Sequence, residues 1–589
     1  MRLPARALVK KSVTVLAGVL AVLCGLELIY LVAVNLVLRT RLIQEAAAGA
    51  DGVKLEFGSA YSVLPGRAHV RDLVLRFEDY NVQFQLSIER GQLDVGLEEL
   101  LHKRFHCYAV RADGVSFVMR HKVHEAEGHG TRLAAFPKID GFADPPLYRG
   151  KPSPPIPDEQ YDLWQVQVDD VVARARELWF LEYRFAGDAE ARGAFLIRPA
   201  RFVRVKPARL ELISGTLAVG DESVARRVRG QIEVSLPSMD VQKTVGAAVF
   251  DLISARVKLD LAGGALDFLN AYRDAGSPSI RGQARWMVEA DVERGVVQPG
   301  SRLALETPAA ELSVPGERTP NWSVSGPLQG QFAVDEHAPS RLSLSLLAAR
   351  LSLSRTDAAG LGSPAAEQVR LAATIEPTTL SHAPHLSALH LSVPRLNVPN
   401  LYWFEPWLSR DGSLRVDGRG EVSGELVCDA HDVCLLKHAR LQASGARLAI
   451  RDRATEPLAV TLDAEQLTLP TASAQRLSGD ASLSATPARA LLPLVTSLPI
   501  KDAVASLLDL RELRARFELS GRPDDYELSI IEARSGDLSA KGFYRPKADR
   551  GLGAFLLKTP LMNFGIRIHG DSTSIAPLAS DDWLAHHHM

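Results

Sequence analysis

The sequence predicts a mainly β fold: an N-terminal transmembrane helix followed by an elongated, curled antiparallel β-sheet groove with a few short helices. Three observations predict it. Apolar and polar residues alternate with a period of two in short runs from residue 68 to residue 533, which gives each strand one dry and one wet face. Turn residues, mainly Gly and Asp, punctuate these runs every 10–15 residues or so, the spacing of an all-β chain. Val13 to Leu38 is almost wholly apolar, broken only by Thr14, Glu27, Tyr30, Asn35 and two glycines.

Composition sets the limits. The chain has 589 residues, 46% apolar and 23% charged, with a net charge of −2, the balance of a folded protein rather than a disordered one. A neutral chain with 6% aromatics offers neither a basic face nor stacking platforms, so no nucleic acid is expected.

Residues 1–11 form a basic N-terminus and residues 12–41 a signal anchor. Arg2, Arg6, Lys10 and Lys11 precede the apolar run and Arg39 and Arg41 follow it, so the N-terminus is assigned to the cytoplasm and the bulk to the far side. The run exceeds the roughly 7–15 residues of a cleaved signal core, so an uncleaved anchor is expected despite Ala46–Ala48. Cys24 follows the bulky Leu23 and is not read as a lipid-bearing cysteine. Glu27 is the polar group inside the span; a partner helix or proton site and a snorkelling acid both remain open.

The first β region covers 42–120, with strands expected at 68–77, 82–95 and 108–121 and a short helical turn at 97–105. Residues 121–160 are rich in Pro, Gly and His and lack a strand pattern, so they are read as a loop. Repetitive strands fill 161–487, an apolar helix is expected at 488–510, and a last β region covers 511–589. Further helices are expected at 244–254, 265–275 and 400–409. Residues 266–295 and 401–430 align as repeats of a short helix, a polar turn and a strand, with a third copy beginning at 488, as in an array.

Chemical sites are few. His124-Glu125 is followed by His129 at i+5, beside His121, which misses the i, i+4 spacing of a metalloprotease helix. His586–His588 end the chain and are read as a frayed tail. No nucleophile elbow, P-loop or dinucleotide glycine pattern occurs, so no enzyme, cofactor or metal is assigned. Cys107 lies in an apolar strand. Cys428 and Cys434 flank a five-residue loop containing His431, and a disulfide between them is expected in preference to a metal site.

The segment "RLSLSLLAARLSLSRT" at 341–356 carries the central question. Leu342, Leu344 and Leu346 alternate with serines, the pattern slips at Leu347–Arg350, and Leu351 and Leu353 resume it. An apolar strand face needs a cover. Two sheets can cover each other as a closed sandwich, or the sheet can remain an open trough whose dry side takes acyl chains. The anchor, the long run of repeats and the persistent wet and dry faces favour the trough. Its candidate lining is Leu342, Leu344, Leu346, Leu351, Leu353, Leu448, Ile450, Leu467 and Leu469.

With these features the chain resembles the AsmA-like family of bacterial envelope proteins. The likeness runs through residues 2–41, "FGSAYSVLPGRAHVRDLVL" (57–75), "IERGQLDVGLEELLHKRFHCYAVRADGVSFVMR" (88–120) and the strands of 530–571. Gly91, Leu93, Val95, Leu97, Leu100, Leu101, Phe105, Val110, Gly114 and Val115 occupy the pattern. The resemblance implies a single-pass inner-membrane protein with a periplasmic β-groove that binds or conducts phospholipid in outer-membrane biogenesis, related to TamB-like and chorein-type bridge-like proteins. It brings no catalytic residues. Some 25–35 strands at about 4.8 Å span of order 100 Å, too short to cross an envelope alone, so either an outer-membrane or periplasmic protein partner at the C-terminal end or a shuttle-like or regulatory role is expected. The alternative is an anchored scaffold or assembly factor with closed sandwich cores.

Overall fold

The structure is a computed structural model. It describes the chain apart from residues 1–4, 41–43, 46–51, 79–80, 124–130, 149–163, 199–200, 241–242, 245, 274–275, 317–319, 359, 383–384, 409–413, 430–432, 451–452, 470–476, 492–509, 523–524, 546–551, 570–571 and 588–589. The fold is mainly β, 69% strand and 11% helix.

The chain divides into two compact units. The first comprises Met1–Tyr272, Gln283–Leu303 and Thr379–Ala383. It holds helix α1 (Ala5–Arg39), β1 (Val53–Glu56), β2 (Ser59–Leu64), β3 (Arg67–Glu78), β4 (Val82–Val95), the one-turn α2 (Leu97–Leu100) and β5 (Arg104–His121). After α3 (Thr131–Ala134) follow β6 (Gln165–Phe180), β7 (Tyr183–Arg198), β8 (Phe202–Val219), β9 (Glu222–Asp240), β10 (Ser254–Ala265), most of β11 (Ser279–Glu293) and β12 (Val296–Val297). Its ladders are antiparallel between chain neighbours, except that β5 and β6 run parallel, joined by the segment 122–164. β1 and β2 both pair with β3.

The second unit comprises Arg273–Gly282, Ala304–Thr378 and Pro384–Met589. It holds β13 (Arg302–Val314), β14 (Trp322–Val334), β15 (Leu342–Arg355), β16 (Ala365–Glu376), β17 (His385–Val398), α4 (Glu405–Leu408), β18 (Leu414–Asp429) and β19 (Cys434–Ile450). Then come β20 (Arg453–Ala454), β21 (Leu458–Leu469), β22 (Leu477–Thr486), β23 (Leu513–Arg522), β24 (Asp525–Ser535), β25 (Leu538–Arg545), β26 (Leu552–Lys558), β27 (Asn563–His569) and β28 (Ser572–Pro577). From β14 to β28 successive strands pair antiparallel; β20 is a two-residue side pairing on β19.

The strands outrun the expected ones because bulges hide their length. The slip at Leu347–Arg350 sits opposite a register shift between Ser325 and Gln329 of β14, so both halves of the ladder belong to one strand, β15. Residues 163–187 are two strands, turned at Leu181, whose φ is +55°.

Most expected helices shrink to short segments of four to seven described residues. The 97–105 helix ends at Leu100, because Lys103 adopts a φ of +56° and the chain enters β5 at Arg104. The 244–254 and 265–275 helices are 3-10 turns at Gly246–Leu252 and Asp267–Tyr272. The 400–409 helix is a 3-10 turn, Leu401–Phe404, capped by Asn400 and continued by α4. At 488–510 a 3-10 turn covers Ala488–Leu491, and most of the remainder lies outside the described residues. In each repeat the short helix precedes a long strand: β11, β18 and β23.

The 121–160 segment is not all loop. Val123 bridges Leu147 in parallel, and Val123, Phe136, Pro137, Ile139 and Pro146 are buried. The guanidinium of Arg120, at the end of β5, is fully buried beside this segment. It donates to Gln83 Oε1 (2.8 Å), Pro137 O (2.9 Å), Ala143 O (2.7 Å) and Asp144 Oδ1 (2.9 Å), so one side chain ties the segment to the end of β5. Burial pulls the Arg120 pKa down, against the charge and hydrogen bond of Asp144.

The apolar N-terminal run is helical over Ala5–Arg39. Among the described residues, no helix is long and apolar enough to cross a membrane. Glu27, Tyr30, Leu31, Val34, Asn35 and Leu38 are its less exposed positions, spaced as one helical face. That face docks on β2. Asn35 Nδ2 donates to Ser62 O (2.7 Å), Ser62 N donates to Asn35 Oδ1 (2.9 Å), and Tyr30 Oη accepts from Gly66 N (3.2 Å). Large apolar side chains on the other faces are exposed, Leu28, Ile29 and Val32 by 63–67%.

Candidate functional site

The candidate site is a face rather than a pocket, and strand register builds it. Residues directly opposite across antiparallel strands share a face. In the second unit Gly330 faces Leu346, then Leu371, Leu391, Leu426, Leu436 and Leu467 in turn. Gly479, Leu519, Leu528 and Tyr544 continue the row to β25. A second row runs from Leu351 through Ala366, Leu396, Val422, Leu441, Leu462, Leu483, Ala515, Ala533 and Ala540 to Leu557.

The opposite face is polar. Asn397, Glu421, Gln442, Thr461, Ser484, Arg514, Arg534, Ser539 and Lys558 form one of its rows. Ion pairs such as Arg395–Glu421 (3.0 Å) and Arg440–Asp463 (3.1 Å) lace it. A shallow concavity of about 690 Å³ has both polar residues (Gln331, Arg370, His390 and Glu425) and leucines (Leu346, Leu347 and Leu371) in its lining.

The first unit repeats the design. Leu55, Leu75, Leu86, Phe117, Leu178, Phe185 and Leu217 form an apolar row. Arg90, Asp113, Arg174, Glu190, Glu211, Gln231, Lys258 and Glu289 form a charged one.

Burial distinguishes the stretches of apolar face. Leu346, Leu371, Leu391, Leu426, Leu436 and Leu467 are all half-buried, while Ser343 and Ser345 are exposed. A leucine between two packed sheets is normally fully buried. Elsewhere the face is closed. Phe185, Ala189, Leu212, Ala225 and Val228 are buried in the first unit. Leu401 and Trp403 of the 3-10 turn cover Val416, Ala443, Ala446 and Leu458 in the second.

The structure brings the nine leucine and isoleucine candidates onto these strands as follows. Leu346 and Leu467 share the first row. Leu344 and Leu469 share a neighbouring one through Ala373, Leu389, Cys428 and Cys434. Leu342 faces Ile375, and Leu351 opens the second row. Leu353 and Leu448 pack beside the cluster that Trp403 closes. Ile450 pairs with Leu414 in register, and its side chain lies outside the described residues.

Cys428 and Cys434 are directly opposite at the end of the β18–β19 hairpin and are joined as a disulfide, with Cα atoms 4.1 Å apart. His431 between them lies outside the described residues, as do His124, His129 and His588. Cys107 is buried as a free thiol, and burial pushes its pKa up. Among the described residues no group of three or more His, Cys, Asp and Glu side chains is placed to hold a metal ion. Glu27 keeps one carboxylate oxygen, Oε1, buried without a hydrogen-bond partner.

Sequence reasoning missed three polar centres in the first unit: Arg120, the Tyr30–Asn35 clamp and His106. His106 Nδ1 lies 2.7 Å from Glu99 Oε1 and Nε2 lies 2.6 Å from Asp169 Oδ2, which ties β5 to α2 and to β6. Burial would lower its pKa, but the two carboxylates overcome this and hold the imidazole above its ordinary value. Its partners are 7 and 63 residues away, so no local motif announces the site.

No family model, no curated protein and no solved structure matches this chain. The AsmA-like resemblance therefore rests on the residues quoted for it.

Proposed function

We propose that this chain is an inner-membrane-anchored, AsmA-like envelope protein that binds phospholipid, laying acyl chains along the apolar face of its sheet. The observation that carries the reading is the half-buried leucine row from Leu346 to Leu467, backed by a face of ion pairs. Each such leucine leaves apolar area in water that a hydrocarbon chain would remove, at about 25 cal/mol per Å². The action is passive: chains slide over leucines while headgroups stay at the wet margin. The anchor is α1, whose Tyr30 and Asn35 turn toward β2 and whose described surface on the other faces is apolar as far as Val37.

The test is lipid mass spectrometry on the full chain extracted in mild detergent. Leu346→Asp and Leu371→Asp place a charge in the row and are expected to strip co-purifying phospholipid. Ser345→Asp, on the opposite face, is expected to keep it. A folded Leu346→Asp protein with undiminished lipid overturns the reading. The closed clusters around Phe185 and Trp403 favour a second reading, an anchored scaffold whose sheet covers itself. That reading gives a lipid-free protein cross-linked to a protein partner.

A further inference from the structure

The docking of α1 on β2 fixes where the sheet stands relative to that helix. Tyr30 Oη meets Gly66 N (3.2 Å) and Leu64 O (3.3 Å), so the β2–β3 turn sits level with residue 30 of the helix. From Lys11 to Tyr30 is 19 residue steps, about 28 Å at 1.5 Å per residue. A bilayer hydrocarbon core is roughly 30 Å thick. If Lys10 and Lys11 hold one boundary of a bilayer, the other falls at the β2–β3 turn.

The side chains at that level are unusual for a soluble strand end. Val63 and Leu64 are 54% and 52% exposed, and Leu101, after α2, is 84% exposed. Leu97 lies against the turn, its Cγ within 4.0 Å of where a Cβ on Gly66 would stand, and is itself 45% exposed. His102, Lys103 and Arg104 follow Leu101 and are exposed; Glu98 and Glu99 share the turn, and Glu99 is engaged by His106. Tyr108, 51% exposed, donates to Glu99 beside Gly96. Exposed apolar tips with an aromatic ring and cations close by in the chain are the composition of a membrane interface.

We infer that the tip formed by Val63, Leu64, Leu97 and Leu101 is a lipid-contact surface, seated in the bilayer boundary beside α1 with His102, Lys103 and Arg104 facing phosphate headgroups. Two things select a bilayer over a protein partner. The tip is continuous with the apolar exterior of α1, and its cations suit an anionic surface. The inference rests on the anchor reading of α1, and the experiment separates the two.

Full-length protein with Cys24→Ser is reconstituted into phosphatidylethanolamine–phosphatidylglycerol vesicles, with an environment-sensitive fluorophore on one introduced cysteine at a time. The introduced changes are Leu20→Cys in α1, midway between residues 11 and 30 and exposed, Leu64→Cys and Leu101→Cys in the tip, and Asp221→Cys in the β8–β9 turn. With a quencher carried on shallow lipid positions, the Leu64 and Leu101 probes are expected to lose most of their emission. The Asp221 probe is expected to lose none. Tip probes that stay bright while the Leu20 probe is quenched by deep lipid quencher overturn the tip inference and leave the anchor standing. Bright probes at all sites overturn both. Quenching at the tip that disappears in Lys103→Glu/Arg104→Glu protein supports the headgroup contact; quenching that persists there removes the cations from the proposal.

Discussion

His106 shows how a single side chain acquires a pH-dependent role from its partners. Both ring nitrogens face carboxylates, and Lys206 and Tyr108 complete the charged surroundings at Asp169 and Glu99. The folded-state pKa lies above the ordinary 6.5, so its stabilisation is complete below pH 6.5 and is lost as pH rises through the raised value. Glu99 and Asp169 are held below 4.5 and 3.8, mainly by their hydrogen bonds to His106, so their contribution is lost only as acid reaches those depressed values. The denaturation midpoint is expected to be highest between those limits and to fall above pH 6.5. In His106→Asn that alkaline fall should vanish; a midpoint with the same slope in both proteins would sink the assignment. The sequence drew attention instead to His121, His124 and His129, which are close in the chain. What matters physically is the partner across a parallel ladder, and that ladder forms between strands separated by the 122–164 segment.

At the scale of elements, α1 is the clearest case of a helix whose interruptions have a use. Glu27, Tyr30 and Asn35 look like flaws in an apolar span, yet they share the face turned to the sheet. Asn35 exchanges two hydrogen bonds with Ser62, satisfying backbone groups of β2 on the side away from β3. An open strand edge invites unwanted pairing, and this clamp occupies it. Two bonds of roughly 1 kcal/mol net each make Asn35→Leu expected to speed Ser62 amide exchange by at least about tenfold. Hydrogen-exchange mass spectrometry on residues 59–66 reads this directly, and unchanged protection there would mean the clamp is incidental. Strand existence was legible from alternation, whereas strand length was not, because bulges reset the phase within β15, β17 and β19. Among the described residues the apolar segments expected as helices keep only short 3-10 stretches; packing of Leu401 and Trp403 onto the sheet, rather than helix propensity, holds the best of them.

At the scale of the whole chain, alternation within one strand says only that a dry face exists. Which strands share it depends on register, and a one-residue slip would send Leu371 to the side of Arg370. The observed register keeps Leu346, Leu371, Leu391, Leu426, Leu436 and Leu467 together across strands joined by turns of unequal length. Such agreement is difficult to read from the sequence, since no local signal links residue 346 to residue 467. It also has a physical consequence. A contiguous, partly exposed apolar row is a surface whose covering is favoured in water. Protein stripped of lipid and detergent is therefore expected to self-associate, and phospholipid is expected to return it to monomers. Light scattering after gel filtration measures both steps. Ser345→Asp should leave the behaviour unchanged, because it adds charge to the face that is already wet. Leu346→Asp with Leu436→Asp should instead weaken the self-association and abolish the rescue, since water would then compete for the row that acyl chains are proposed to cover. A stripped wild-type chain that stays monomeric at high concentration would mean that the face is covered from within, and the scaffold reading would take precedence.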